Sequence, residues 1–61
     1  MMQERALFST ADKAVSTARE FSALPLYVEA RPVTVRGQRI GYEGWYRDRN
    51  DIMQPVMEHE V

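Results

Sequence analysis

Two β-favouring runs that meet at a glycine constrain this chain more than any other feature in it. Val33 to Tyr46 reads Val-Thr-Val-Arg-Gly-Gln-Arg-Ile-Gly-Tyr-Glu-Gly-Trp-Tyr. A Gly-X pair between such runs predicts a β-hairpin closed by a type II′ turn at Gly37-Gln38, since glycine takes the positive φ of the first central position and the turn's twist matches the strands. With that two-residue loop Val35 opposes Ile40 and Val33 opposes Tyr42, so four apolar side chains share one side. On the other side Arg36 opposes Arg39. Like charges so placed cost a few tenths of a kcal/mol up to about 1, a cost that solvent reduces and an anionic partner offsets. The same pair also reads as two solvated arginines that blunt a sheet edge against aggregation.

The remainder of the chain is short. Its 61 residues allow one domain over 1–61, with 58–61 expected to fray. A core of this size is marginal, and the absence of cysteine removes disulfides and thiolate metal sites as a remedy. Dimerisation or docking on a partner is what remains. The absence of cysteine also suits a reducing compartment. The N-terminal Met-Met-Gln-Glu-Arg-Ala-Leu-Phe carries charge where a signal peptide needs an apolar run, and no apolar stretch reaches membrane-spanning length. A cytoplasmic protein without a membrane partner is the expectation.

The net charge of −1 conceals an asymmetry. Residues 31–49 hold Arg31, Arg36, Arg39, Arg47 and Arg49 against Glu43 and Asp48, a local charge of +3. Residues 50–61 add Asp51, Glu58 and Glu60 without a lysine or arginine, which either shields the basic hairpin in cis or keeps the tail solvated.

Upstream of the hairpin, residues 9–23 predict a helix. Ser9 and Asp12 resemble a capping box with a short acid, and Ala11, Ala14, Val15, Ala18 and Phe21 recur at helical spacing. Counting Leu7 into that series instead starts the helix near Gln3, with no cap. Pro25 ends it either way. Leu26 to Ala30 predicts a strand with Tyr27, Glu29 and Arg31 on one face. Its apolar parity slips after Pro32, which places a bulge or a break at Arg31-Pro32.

After the hairpin, Arg47 to Asp51 reads as a turn. Ile52 to Met57, interrupted by Pro55, reads as an edge strand or extended arm, with a short helix capped by Asp51 as the other option. Gly41 and Gly44 mark a bulge or a close backbone approach. If Gly44 is bulged, Trp45 turns to the helix as the plug of the core, with Ala14 and Ala18 leaving it room. If not, Trp45 lies opposite Tyr42, beside the arginines. These readings predict a small α+β domain: one N-terminal helix packed on an antiparallel meander of two to four strands centred on the 33–46 hairpin.

Catalysis is poorly served by these residues. His59 is the single histidine, lies between two glutamates near the end, and has no serine or cysteine to activate. Glu29 and Glu43 on adjacent strands read better as exposed strand residues than as a catalytic pair, and so small a chain encloses no dry pocket. Gly37, Gly41 and Gly44 lack the spacing of a phosphate loop. No enzyme, cofactor or metal is expected. Five arginines among Tyr42, Trp45 and Tyr46 can contact phosphates and stack bases, so a nucleic-acid-binding ribbon is an alternative. Against it stands a calculated pI of about 5.7.

Tyr, Trp, Arg and Met are equally the residues of protein interfaces, and an exposed strand edge at Tyr27 to Ala30 or Ile52 to Val56 can extend a sheet in a partner or a second copy. The expected role is therefore that of a small module binding a larger protein, or a homodimer. Size suits a phage or mobile-element accessory protein that inhibits or regulates a host complex. Trp45, Tyr46, Arg47 and Arg49 form the expected contact group with Tyr42 beside them, and Arg36 and Arg39 supply steering charge.

Overall fold

The structure, a computed structural model, describes residues 4–22 and 27–58. One helix, α1 (Ala11–Phe21), is followed by three strands, β1 (Val28–Val35), β2 (Gln38–Arg47) and β3 (Met53–Pro55), in an antiparallel sheet of order β1-β2-β3. This is the α+β arrangement of a helix on a meander. Among the described residues no helix is long and apolar enough to cross a membrane.

The helix begins later than either expectation. Thr10 is the N-cap, its hydroxyl accepting the Lys13 amide at 3.2 Å, where Ser9 was expected to serve. A start near Gln3 is excluded further along, because the segment before the cap is extended. Phe8 exchanges both backbone hydrogen bonds with Tyr42 at 2.8 Å, and Arg5 bridges Met57. A chain already paired to a sheet cannot also close i to i−4 bonds. Leu7 accordingly leaves the helical stripe and stands half-exposed. The rest of that stripe holds: Ala14 and Ala18 are fully buried, and Phe21 packs on the core. The helix stops at Phe21, short of residue 23. Gln3, Pro25, Leu26, His59 and most of the expected frayed tail lie outside the described residues.

The hairpin forms, but one residue earlier than its glycine suggests. Val35 pairs with Gln38, and the turn residues are Arg36 and Gly37, with φ of 52° and 81°. Positive φ at both central positions is a type I′ turn rather than type II′. Arg36 therefore does not oppose Arg39, whose partner is Thr34. The cost is a left-handed arginine, about 1 kcal/mol for a side chain with a Cβ. The compensation is a bulge: the register shifts between Val33 and Thr34, leaving Ile40 without a partner across the ladder. Below the bulge Val33 meets Gly41 and Pro32 meets Tyr42, so the expected pairs Val35–Ile40 and Val33–Tyr42 do not occur. β1 is one continuous strand, and Arg31-Pro32 is not where it bulges.

The prolines explain themselves once the bonding pattern is traced. Tyr42 gives both its backbone groups to Phe8, so across the ladder Pro32 turns its own away from β2, at the free edge, where an amide would go unpaired. Gly44 and Asp48 bond towards the β3 side, through Val56 N–H at 2.8 Å and Ile52 C=O at 3.0 Å. By the alternation of an antiparallel ladder the Trp45–Pro55 pair is then non-bonded, and Pro55 also faces outward. Each outer strand thus carries a proline where a donor would invite another strand.

At Ala14 the helix backbone packs directly on the sheet. A Cβ on Gly44 would lie 2.5 Å from the carbonyl oxygen of Ala14, so glycine there is a close approach and not a bulge. Among the described residues the buried apolar ones are Ala6, Ala14, Ala18 and Val56, and Phe8, Phe21, Val28 and Tyr46 pack around the cluster of Ala6, Ala18 and Val56. Tyr46 stacks on Phe21 at 5.8 Å between ring centroids.

Candidate functional site

Because Gly44 and Tyr46 face the helix, strand alternation sends Glu43, Trp45 and Arg47 to the opposite face. Trp45 is therefore not the core plug; Ala14 meets the backbone of Gly44, and Ala18 packs with Ala6 and Val56, instead of an indole. On this outer face the register brings Glu29 across from Trp45 and Arg31 across from Glu43. The Arg31 guanidinium lies 4.0 Å from the indole centroid and that of Arg5 5.1 Å away, while the indole N–H donates to Glu43 Oε1 at 3.0 Å. Cations over a tryptophan ring are held by its quadrupole. Glu43 also takes Arg5 at 3.5 Å, and Glu29 takes both Arg31 and the Tyr27 hydroxyl. The two carboxylates are thus fully engaged with neighbours.

Those contacts set the ionisation of this face. The hydrogen bond from Tyr27, and after it that from Arg31, hold the Glu29 carboxyl below its ordinary range. The same bond to Glu29 pushes the Tyr27 hydroxyl up, seconded by the negative charge of that carboxylate.

At the far end of the face Asp48 organises the β2–β3 turn. Its Oδ1 accepts the amides of Asn50 at 2.8 Å and Ile52 at 3.0 Å, and its Oδ2 accepts the Gln54 side chain at 3.0 Å. The bond from the Ile52 amide is the main reason its carboxyl is held low. Asp51, with φ of 65°, belongs to this turn and caps no helix; it pairs with Arg47 at 3.3 Å. Arg47 also lies 5.4 Å from the centre of the Tyr27 ring.

The expected contact residues therefore separate into three places. Trp45 and Arg47 share the outer face and are occupied there by Arg5, Arg31, Glu43, Asp51 and Tyr27. Tyr46 packs against the core, and Tyr42 lies on the same helix-side face with the Arg39 guanidinium 5.4 Å above its ring. Arg36 at the turn and Arg49 in the loop are exposed and make no ion pair among the described residues.

Arg31 and Glu29 could be placed on one face by strand alternation. Arg5 could not, since it arrives from an N-terminal segment whose sheet pairing has no sequence signal. A shallow groove of about 280 Å³ lies on the helix side, lined by Phe8, Asp12, Lys13, Ser16 and Thr17, with one acid and one base and so no preference for either charge. Comparison with known proteins adds no relative. No family model matches the chain, and no curated protein or solved structure matches it either.

Proposed function

We propose that this protein is a non-catalytic binding module that works by docking on a larger protein, which it blocks or adjusts. The observation that carries the reading is where its large apolar side chains stand. Leu7, Tyr27, Val35, Ile40 and Ile52 are each between 49% and 55% exposed, while three of the four buried apolar residues described are alanines. A chain whose buried apolar positions are mostly small, and which leaves five large apolar side chains half-exposed on a surface that also carries arginines, has the composition of an interface. The aromatic rings argue in the same direction. A nucleic-acid ribbon needs rings free to stack on bases, whereas Trp45 is already engaged by two guanidiniums and Tyr46 by Phe21.

The test is titration with mixed single- and double-stranded oligonucleotides at low and moderate salt, following Trp45 fluorescence and mobility, alongside affinity capture with the tagged chain. No saturable oligonucleotide binding, with a protein retained at moderate salt, is the expected result. Saturable binding that weakens steeply with salt would transfer the role to nucleic acid.

A further inference from the structure

The hairpin tip departs from what folding alone would select. Asn-Gly is the preferred pair for a type I′ turn, because asparagine tolerates the left-handed region; this chain places Arg36 there, at φ 52°. Residues 34–40 are all exposed, and Val35 and Ile40 are each 50% exposed. From Pro32 to Tyr42 there are two arginines and no acid, and neither arginine has an ion-pair partner among the described residues. Backbone strain that a commoner residue would relieve is the mark of a position kept for another purpose.

We propose that the hairpin tip is the element that enters the partner, and that it takes an acidic groove with apolar walls on a protein. The inference rests on the protein-binding reading above and specifies which part of the molecule does the binding. Arg36 and Arg39 supply charge that only an anionic surface would neutralise. Val35 and Ile40 supply apolar area that a phosphate backbone has no use for but a protein groove buries. The bulge at Ile40 increases the twist of the ladder below the tip.

The decisive variant is Arg36→Asn, which improves the turn while removing the charge. Its melting temperature should rise, on the order of 4 °C, so that any loss of binding cannot be a loss of fold. Binding is read with a photo-crosslinking phenylalanine at Gln38, beside the turn, and separately at half-exposed Leu7, whose side chain lies against Gly41 away from the turn, in cells making the full chain. Arg19→Gln on the helix controls for net charge.

Three results together support the proposal: protein adducts from Gln38 that map to an acidic segment, a yield reduced about tenfold or more by Arg36→Asn, and an unchanged yield with Arg19→Gln. It is overturned if Arg36→Asn crosslinks as well as the parent, if Arg19→Gln costs as much as Arg36→Asn, or if the adducts map to a segment without acids. Protein adducts from Leu7 but none from Gln38 would overturn the tip and leave the protein-binding reading standing. Adducts to nucleic acid, or no protein adduct from either position, would remove both.

Discussion

From Gly41 to Arg47, β2 is pressed between the helix and a ladder of paired charges; from Thr34 to Ile40 the same hairpin has neither. At the base, Gly44 touches the Ala14 carbonyl, Trp45 is held by Arg5, Arg31 and Glu43, and Arg47 by Asp51. At the tip, two arginines lack a carboxylate partner among the described residues, two β-branched side chains are half in water, and one residue adopts a strained φ. The contrast separates what the molecule uses to stay folded from what it leaves available. A base in which each group is held by several others tolerates little change, while a tip held by its turn, two ladder pairs and one cation–ring contact can be altered at little cost to the rest.

The strongest way to break this contrast is Gly44→Ala. The added methyl would meet a backbone oxygen and not a flexible side chain, so the helix must lift; a loss of about 3 kcal/mol is expected, a large part of the roughly 3–9 kcal/mol such a domain has. Urea unfolding with an unchanged slope would measure it. Trp45→Ala comes next, at about 2 kcal/mol from lost apolar area and two cation–ring contacts. The protein should stay folded by circular dichroism. An unfolded variant would show that the outer face is as essential as the core.

Smaller still is Glu29→Gln, below about 1 kcal/mol because its arginine is partly solvated. This variant sharpens the comparison through pH. Glu29 and Asp48 are held low, so the stability they contribute is whole above their unfolded values, near 4. It is lost as pH falls through the lower folded values. Tyr27 is raised, so its contribution is whole below about 10 and lost as pH rises through the folded value. Urea midpoints across pH should fall at both ends, and Glu29→Gln should flatten both arms while leaving the part due to Asp48. Arg36→Asn has an effect on the fold no larger than that and of the opposite sign.

Much of this architecture could be read from residue order. The alanine stripe of the helix, the hairpin, the turn after Arg47 and the edge strand around Pro55 all follow from spacing and turn chemistry. What could not be read has a common cause. The turn slipped by one residue because a bulge at Ile40 absorbs the offset, and two-residue arithmetic assumes an unbroken ladder. Trp45 could be assigned to either face until Gly44 was known to touch the helix, since a glycine in a strand signals both a bulge and a close approach. The extended pairing of Arg5 and Phe8 is non-local, and periodicity carries no record of it. The expected contact group divided between faces for a plainer reason: Trp45 and Tyr46 are adjacent in a strand and must point opposite ways.

The outward-facing prolines at residues 32 and 55 have a consequence for the molecule in bulk. A hairpin that displays valine and isoleucine at its end is a seed for stacking copy upon copy into ribbons. Withholding one donor from each outer strand interrupts that growth before a second chain can register along the full edge. Two missing amide hydrogens, one on each outer strand, thus leave each edge with a gap at which an added strand finds no donor.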